Sequence, residues 1–410
     1  MKQFSWKSLR VAWQTYKPLG WSQLIHRKTR LLIALMGVAF SNILIFTQLG
    51  LRAMLFEGIT LLPNSLAGDL FLISAYAPTM DSSQFARIYL YQADAVAGVD
   101  VATALYIRSA DWVNPEDLTK VVSQEVAPQP NFDFFPNEVK VLAFNPVRPA
   151  LAIPEVRQQL VYLNQPNMIL FDRLGQSKLG PIPEMLESSD LVSTLMEDQR
   201  VYVAGLFSLG STLLDNGHVV TSDWNYKNWF GSDSLKWVNV GCLTLTAGAD
   251  VDAVRTRLRA VLPDGIRVLT KAEVIDVEQS FQSALPEGKV LNFGAVIGFI
   301  VGVVVVYQVL YTDVSEHLPE YATLKAMGYA DRILLSMILQ EALALAVLGF
   351  IPGYLASYGV YHLLVQLTRV PLVMKASVAL QVFGLTLIMC SVAGMVSMNK
   401  LRSADPADVF

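Results

Sequence analysis

The chain has 410 residues, of which 53% are hydrophobic and only 16% charged, and a net charge of −4. Soluble domains carry about 25% charged residues, so an ordinary soluble enzyme is excluded and a protein with much of its length in a membrane is indicated. The two cysteines, Cys242 and Cys390, exclude a disulfide framework.

Residues 1–30 carry Lys2, Lys7, Arg10, Lys17, Arg27, Lys28 and Arg30 and no acid. Trp6, Leu9, Trp13 and Tyr16 recur at helical spacing among these cations, which predicts a cytoplasmic amphipathic segment lying in the lipid interface. Pro18-Leu19-Gly20 breaks it. Residues 31–51 form the first apolar span, with helical periodicity continuing to about residue 62, where Pro63 ends the pattern. This run is longer than the roughly 7–15 apolar residues of a signal peptide and reads as a retained anchor.

Residues 52–289 carry 18 basic and 28 acidic side chains, a net of −10. The positive-inside rule then puts the N-terminus in the cytoplasm and this segment outside. Within it, residues 66–74 and 100–110 read as strands, and the proline-rich stretch 127–154 as extended loop. Residues 235–245, 250–262 and 265–270 read as a strand, a helix capped by Asp250 and a second strand, a β-α-β unit. Val274, Val277, Phe281 and Leu285 form an apolar stripe, ended by a kink at Pro286-Glu287-Gly288. This stripe and the one through Met54, Leu55, Ile59 and Leu62 read either as two stalk helices or as helices packed on the domain.

Three further spans follow at 290–312, 333–354 and 376–399, separated by a cytoplasmic loop, 313–332, and a short outer loop, 355–375. Each has the roughly 20 apolar residues a crossing needs. Residues 400–410 return to the cytoplasm. The fold class is therefore an α-helical membrane protein of four transmembrane helices with cytoplasmic termini and a large α+β periplasmic domain between the first and second.

No phosphate-binding loop is present, since Gly288-Lys289 lacks both the upstream glycine and the following hydroxyl residue. His26, His218, His317 and His362 show no metal-ligand spacing, and no catalytic residue, cofactor or nucleic-acid partner is expected. Asp215, His218 and Asp223 read as solvated loop residues. Glu341 lies within the third span; as a single acid without an intramembrane companion it suits a structural or interface role better than a proton relay. In the cytoplasmic loop, Asp313, Glu316 and Glu320 precede Tyr321, with Lys325 later and Gly328 placed to end a short helix, a charge order that complements the helix dipole.

Residues His26 to Leu35, the run Glu320-Tyr321-Ala322-Thr323-Leu324-Lys325-Ala326-Met327-Gly328, and Gln340-Glu341-Ala342 resemble MacB/FtsX-type (type VII) ABC transporter permeases. Pro18-Leu19-Gly20-Trp21, Phe46-Thr47-Gln48-Leu49-Gly50, the run Tyr311 to Leu318 and the ending Leu401 to Phe410 are similar to the DevC subfamily of cyanobacteria. The resemblance implies a homodimeric permease of the bacterial inner membrane working with a separate cytoplasmic DevA-like ABC ATPase. It also implies a periplasmic DevB/MacA-like adaptor and an outer-membrane TolC-like duct, with export of a substrate such as a glycolipid. By the same resemblance, the coupling site on the ATPase is Asp313, Glu316, Glu320, Tyr321, Lys325 and Gly328, and Glu341 has a structural or coupling role. The alternatives are an FtsX-like transducer that regulates a cell-wall hydrolase and an LolC/E-like lipoprotein extractor.

Overall fold

The computed structural model describes residues 28–118, 137–327, 329–368 and 372–403, so the basic N-terminal segment, Gly328 and the residues after 403 lie outside the described residues. The described residues divide into two units, an α/β unit within 54–287 together with Thr368 and a helical unit formed by the others.

The first helix, α1, runs without interruption over Lys28–Ser65. Pro63 lies inside it rather than ending it: the proline forfeits one backbone bond in the last turn, and the Ser65 hydroxyl donates to the Leu62 carbonyl at 2.7 Å. The α/β unit then follows as β1 (Leu70–Ser74), β2 (Phe85–Ala86), α2 (Ile88–Asp94), β3 (Val99–Asp111), β4 (Glu138–Phe144) and α3 (Pro154–Gln158). It continues with β5 (Met168–Asp172), α4 (Ile182–Ser188), β6 (Val192–Met196), β7 (Gln199–Phe207), β8 (His218–Ser222) and α5 (Asp223–Phe230). The last elements are β9 (Trp237–Val238), β10 (Val240–Leu245), α6 (Val251–Val261), β11 (Ile266–Thr270) and α7 (Lys271–Ala284).

Nine strands form one mixed sheet in the order β11-β1-β10-β3-β4-β8-β5-β7-β6, and β2 pairs β9 in a small ribbon. Successive strand residues point to opposite faces, and both faces are apolar. Leu70, Leu72, Tyr106, Val141 and Ile169 pack on one side beneath Leu90 of α2 and Val254 and Leu258 of α6. Phe71, Ile73, Leu105, Leu142, Phe144 and Leu170 fill the other, with Leu62 and Leu66 at the end of α1 and Val274 of α7. Of the two amphipathic stripes read from the sequence, the ends nearest the sheet, Leu62 in one and Val274 with Val277 in the other, cover this face.

Three strand expectations change. A buried strand, β4, stands inside the proline-rich stretch taken as loop, between β3 and β8. The run 235–245 is broken at Asn239, whose Oδ1 accepts the Ile107 N–H at 2.9 Å and whose amide donates to the Asp81 carbonyl at 3.0 Å. The β-α-β unit is split. Strand β1 lies between β10 and β11 and is antiparallel to both, so those two are parallel to each other but do not touch through hydrogen bonds. Asp250 does cap α6, accepting the N–H groups of Asp252 and Ala253.

Beyond α7 the chain breaks at Leu285, which is extended, and Pro286 opens α8 (Pro286–Glu316). The helical unit continues with α9 (Leu318–Ala326), α10 (Asp331–Thr368) and α11 (Ala376–Ser403). α1, α8, α10 and α11 are each long and apolar enough to cross a membrane. Their helices exceed the spans read from hydropathy; α10 passes Pro352 and reaches Thr368, through what the sequence assigns to a loop. Glycines set the closest approaches. On α8, Gly298 lies against Ile45 of α1, and a Cβ at Gly302 would fall 1.9 Å from Met389 Sδ of α11. Small residues let helix backbones approach where no hydrophobic effect drives them together. The Thr386 hydroxyl of α11 donates to Asn42 Oδ1 of α1 at 2.7 Å, fixing a further pair of helices.

Candidate functional site

The short helix α9 is the part of the helical unit whose charge order suits a docking element. His317 stands at its N-cap position and is tied back to α8, its N–H donating to the Asp313 carbonyl at 3.1 Å and its Nδ1 3.7 Å from Asp313 Oδ1. Pro319 occupies its first turn, Glu320 supplies the acid there and Lys325 the base in the last turn. The helix is anchored from below by Tyr321, which is buried with Val314 of α8, Leu334 and Ile338 of α10 and Met398 of α11.

Beneath Tyr321 lie two acids. Glu341 of α10 is 4% exposed, and its carboxyl faces that of Asp313 of α8. Two bare carboxylates side by side repel, so such a pair is costly in an apolar bundle. Glu341 Oε2 is buried without a partner among the described residues. Burial, with the Glu341, Asp313 and Glu320 carboxyls around it, pushes the Tyr321 hydroxyl above its ordinary range. The arrangement brings the end of α8, the start of α9 and the first third of α10 together around two acids within an apolar bundle.

The sequence expectations for this site change in two places. Asp313 and Glu316 belong to α8, not to the connecting loop, because the helix continues a turn beyond the apolar span. Tyr321 is buried, its ring completing the core under α9. Glu341 is not solitary; its companion Asp313 comes from another helix, a proximity that no local spacing reveals. Glu316 and Glu320 are exposed, Lys325 is half-buried, and Gly328 lies outside the described residues.

The α/β unit holds polar clusters that sequence reasoning missed. His218, expected in a solvated loop, is buried in β8 with Nδ1 3.3 Å from Asp172 Oδ2. Asp172 also accepts the N–H groups of Leu174, Leu209 and Gly210. Lys140 of β4 bridges Asp81 and Asp215, the latter at 2.6 Å. Burial alone would lower the Lys140 ammonium, but the Asp215 and Asp81 carboxylates outweigh it and hold it above its usual range. Nearby on α7, Glu278 accepts the Met80 N–H at 2.5 Å, and burial pushes its carboxyl up to about 7. Among the described residues no group of three or more His, Cys, Asp or Glu side chains is placed to hold a metal ion.

Residues 292–406, which contain α9 and the acid pair, match the family described as FtsX-like permease C-terminal. Over these residues the chain is similar to the FtsX-like permeases. An ABC transporter permease of Mycobacterium bovis is 29% identical over 151 residues, covering 36% of this chain and 41% of that protein. A second, from Mycobacterium tuberculosis, is 26% identical over the same share of both. The match thus spans about two-fifths of the length of these relatives. Among solved structures, the periplasmic region of MacB from Actinobacillus actinomycetemcomitans covers 54% of this chain and 95% of its own, at 7% identity and a TM-score of 0.33. The extracellular domain of YknZ from Gram-positive bacteria covers 49% and 99%, at 10% identity and a TM-score of 0.32. The FtsX-like part accounts for α8 to α11, the helices that build the candidate site.

Proposed function

We propose that this chain is the non-catalytic permease subunit of an ABC-type export system, driven by a separate cytoplasmic ATPase that docks on α9 and the end of α8. The observation that carries this reading is the α9 anchor. Tyr321 and the Asp313–Glu341 pair join the short connecting helix to three crossing helices, so a push on α9 is felt by the bundle rather than absorbed in a loose loop. The exposed acids Glu316 and Glu320 lie at the junction of α8 and α9, where a basic surface of an ATPase would meet them.

In this reading the α/β unit sits in the periplasm of a bacterial inner-membrane protein, which fits the excess of acid in 52–289 and the basic N-terminal segment. The continuous helix α1 and the pair α7–α8 connect it to the crossing helices. A homodimer of this chain, a DevB/MacA-like adaptor and a TolC-like duct would complete a DevC-type pump, in which ATP-driven motion of the crossing helices reaches the periplasm through those connections.

The test is co-purification of the full chain with its cognate ATPase. The double charge reversal Glu316→Lys and Glu320→Lys is expected to abolish association while membrane insertion stays intact. Unchanged association would overturn the assignment of this junction as the docking site.

A further inference from the structure

A cavity of about 340 Å³ opens in the α/β unit between α2, β3, the turn after β4 and the start of α5. That volume is at the small end of ligand pockets. Arg87, Tyr91, Asp94, Asn145, Arg148 and Asp223 are its polar and aromatic lining.

Two of these side chains serve each other. Asp94 accepts the Ala102 N–H at 2.8 Å and stands 3.6 Å from Arg148 Nη1, so it is fixed by the sheet and in turn aims the Arg148 guanidinium. Arg87 and Asp223 are different. Among the described residues neither has an ion-pair partner. The Arg87 backbone is held by the Lys236 carbonyl at 2.9 Å, and its guanidinium lies 5.6 Å from the Tyr91 ring centroid. Its Nε is buried without an acceptor among the described residues. Such a donor is costly to leave unmade, and the cost is greater for a charged group. The Nε edge is also one of the faces on which a guanidinium grips carboxylate or phosphate with two parallel hydrogen bonds.

Asp223 narrows the choice. It lines the same cavity as Arg87, so two opposite charges face one space. A bare dianion would meet Asp223 with repulsion. A ligand bearing a hydroxyl or amino group beside its anion would satisfy both.

We propose that this cavity binds a small oxyanion that also carries a hydrogen-bond donor, with Arg87 and Arg148 holding the anion and Asp223 receiving the donor. The site is independent of the coupling junction and of the ATPase.

The full chain in lipid nanodiscs is titrated by calorimetry with three probes: L-serine (carboxylate with a donor), sn-glycerol 3-phosphate (phosphate with a donor) and inorganic phosphate. Saturable binding of L-serine or glycerol 3-phosphate is expected, tighter than that of inorganic phosphate, with Arg87→Gln weakening it about tenfold or more. Asp223→Asn is expected to narrow the preference over inorganic phosphate. Arg148→Gln, at a half-exposed position that tolerates substitution, provides a second variant should Arg87→Gln fold poorly, and is expected to weaken binding severalfold. The proposal is overturned if neither donor-bearing probe saturates, if inorganic phosphate binds best, or if the folded arginine variants bind as the parent does.

Discussion

The Tyr361 hydroxyl of α10 donates to the Phe46 carbonyl of α1 at 2.5 Å, and it reaches that carbonyl only because residue 50 is glycine. A Cβ at Gly50 would lie 1.9 Å from Tyr361 Oη. In the helix ladder the Phe46 carbonyl belongs to the Gly50 N–H, so the tyrosine enters the ladder at a shared acceptor, a kind of insertion that favours bending. Gly50→Ala is expected to destabilise the detergent-purified chain by about 1–3 kcal/mol, the range for overpacking. Truncation in Tyr361→Ala should recover part of that loss in the double variant. Thermal melts of the four proteins decide the matter, and strict additivity would mean the two residues are not in conflict.

The Asp313–Glu341 pair gives a second expectation. Glu341→Gln keeps a group that can donate to Asp313, so folding and ATPase association should both survive. Glu341→Ala removes the partner of a carboxyl in an apolar bundle and is expected to cost about 1–3 kcal/mol, read as a lower Tm. Were Glu341→Gln as damaging as Glu341→Ala, a polar partner for Asp313 alone would not explain the acid.

Glu278 sets a pH dependence in the α/β unit. Burial raises its carboxyl from 4.5 to about 7. The folded protein therefore binds this proton more tightly than the unfolded chain. The contribution is fully present below about 4.5, and stability is lost as pH rises through about 7. Glu278→Gln, which can still accept the Met80 N–H, should melt higher than the parent at pH 8 and much like it at pH 4. Parallel melting curves across that window would remove Glu278 from the account.

Asp172 and His218 are not equal partners. Asp172 accepts three backbone N–H groups besides facing His218, so it organises the turns after β5 and β7. Asp172→Ala is expected to cost about 3 kcal/mol or more, because it orphans several donors at once. His218→Gln should cost less. Hydrogen exchange at Leu174, Leu209 and Gly210 reports it directly: protection should collapse in Asp172→Ala and persist in His218→Gln.

What the sequence made legible was local or periodic. The Asp250 cap, the break before Pro286 and the apolar helices follow from chemistry within a few residues, and the structure keeps them. Strand β4 was hidden because prolines flank it at 136 and 146, and because its pairing with β3 and β8 is tertiary. The site was legible only in outline. Glu320 and Lys325 follow the helix-dipole pattern, whereas the burial of Tyr321 and the meeting of Glu341 with Asp313 depend on how three helices pack. His218 shows the same limit: its neighbours in sequence are acids, but the acid that faces it comes from another strand.

The placement of β1 between β10 and β11 has a mechanical consequence. The strand that follows α1 is laced directly to the strand that precedes α7, with five residue pairs in register from Leu70↔Thr270 to Ser74↔Ile266. The chain's way into the α/β unit and its way out are thus stitched at one seam, and strands β3 to β8 form an excursion that leaves from this seam and returns to it. Tension between the two ends loads that single ladder, while the excursion can lengthen, shorten or acquire a new binding surface without moving them apart.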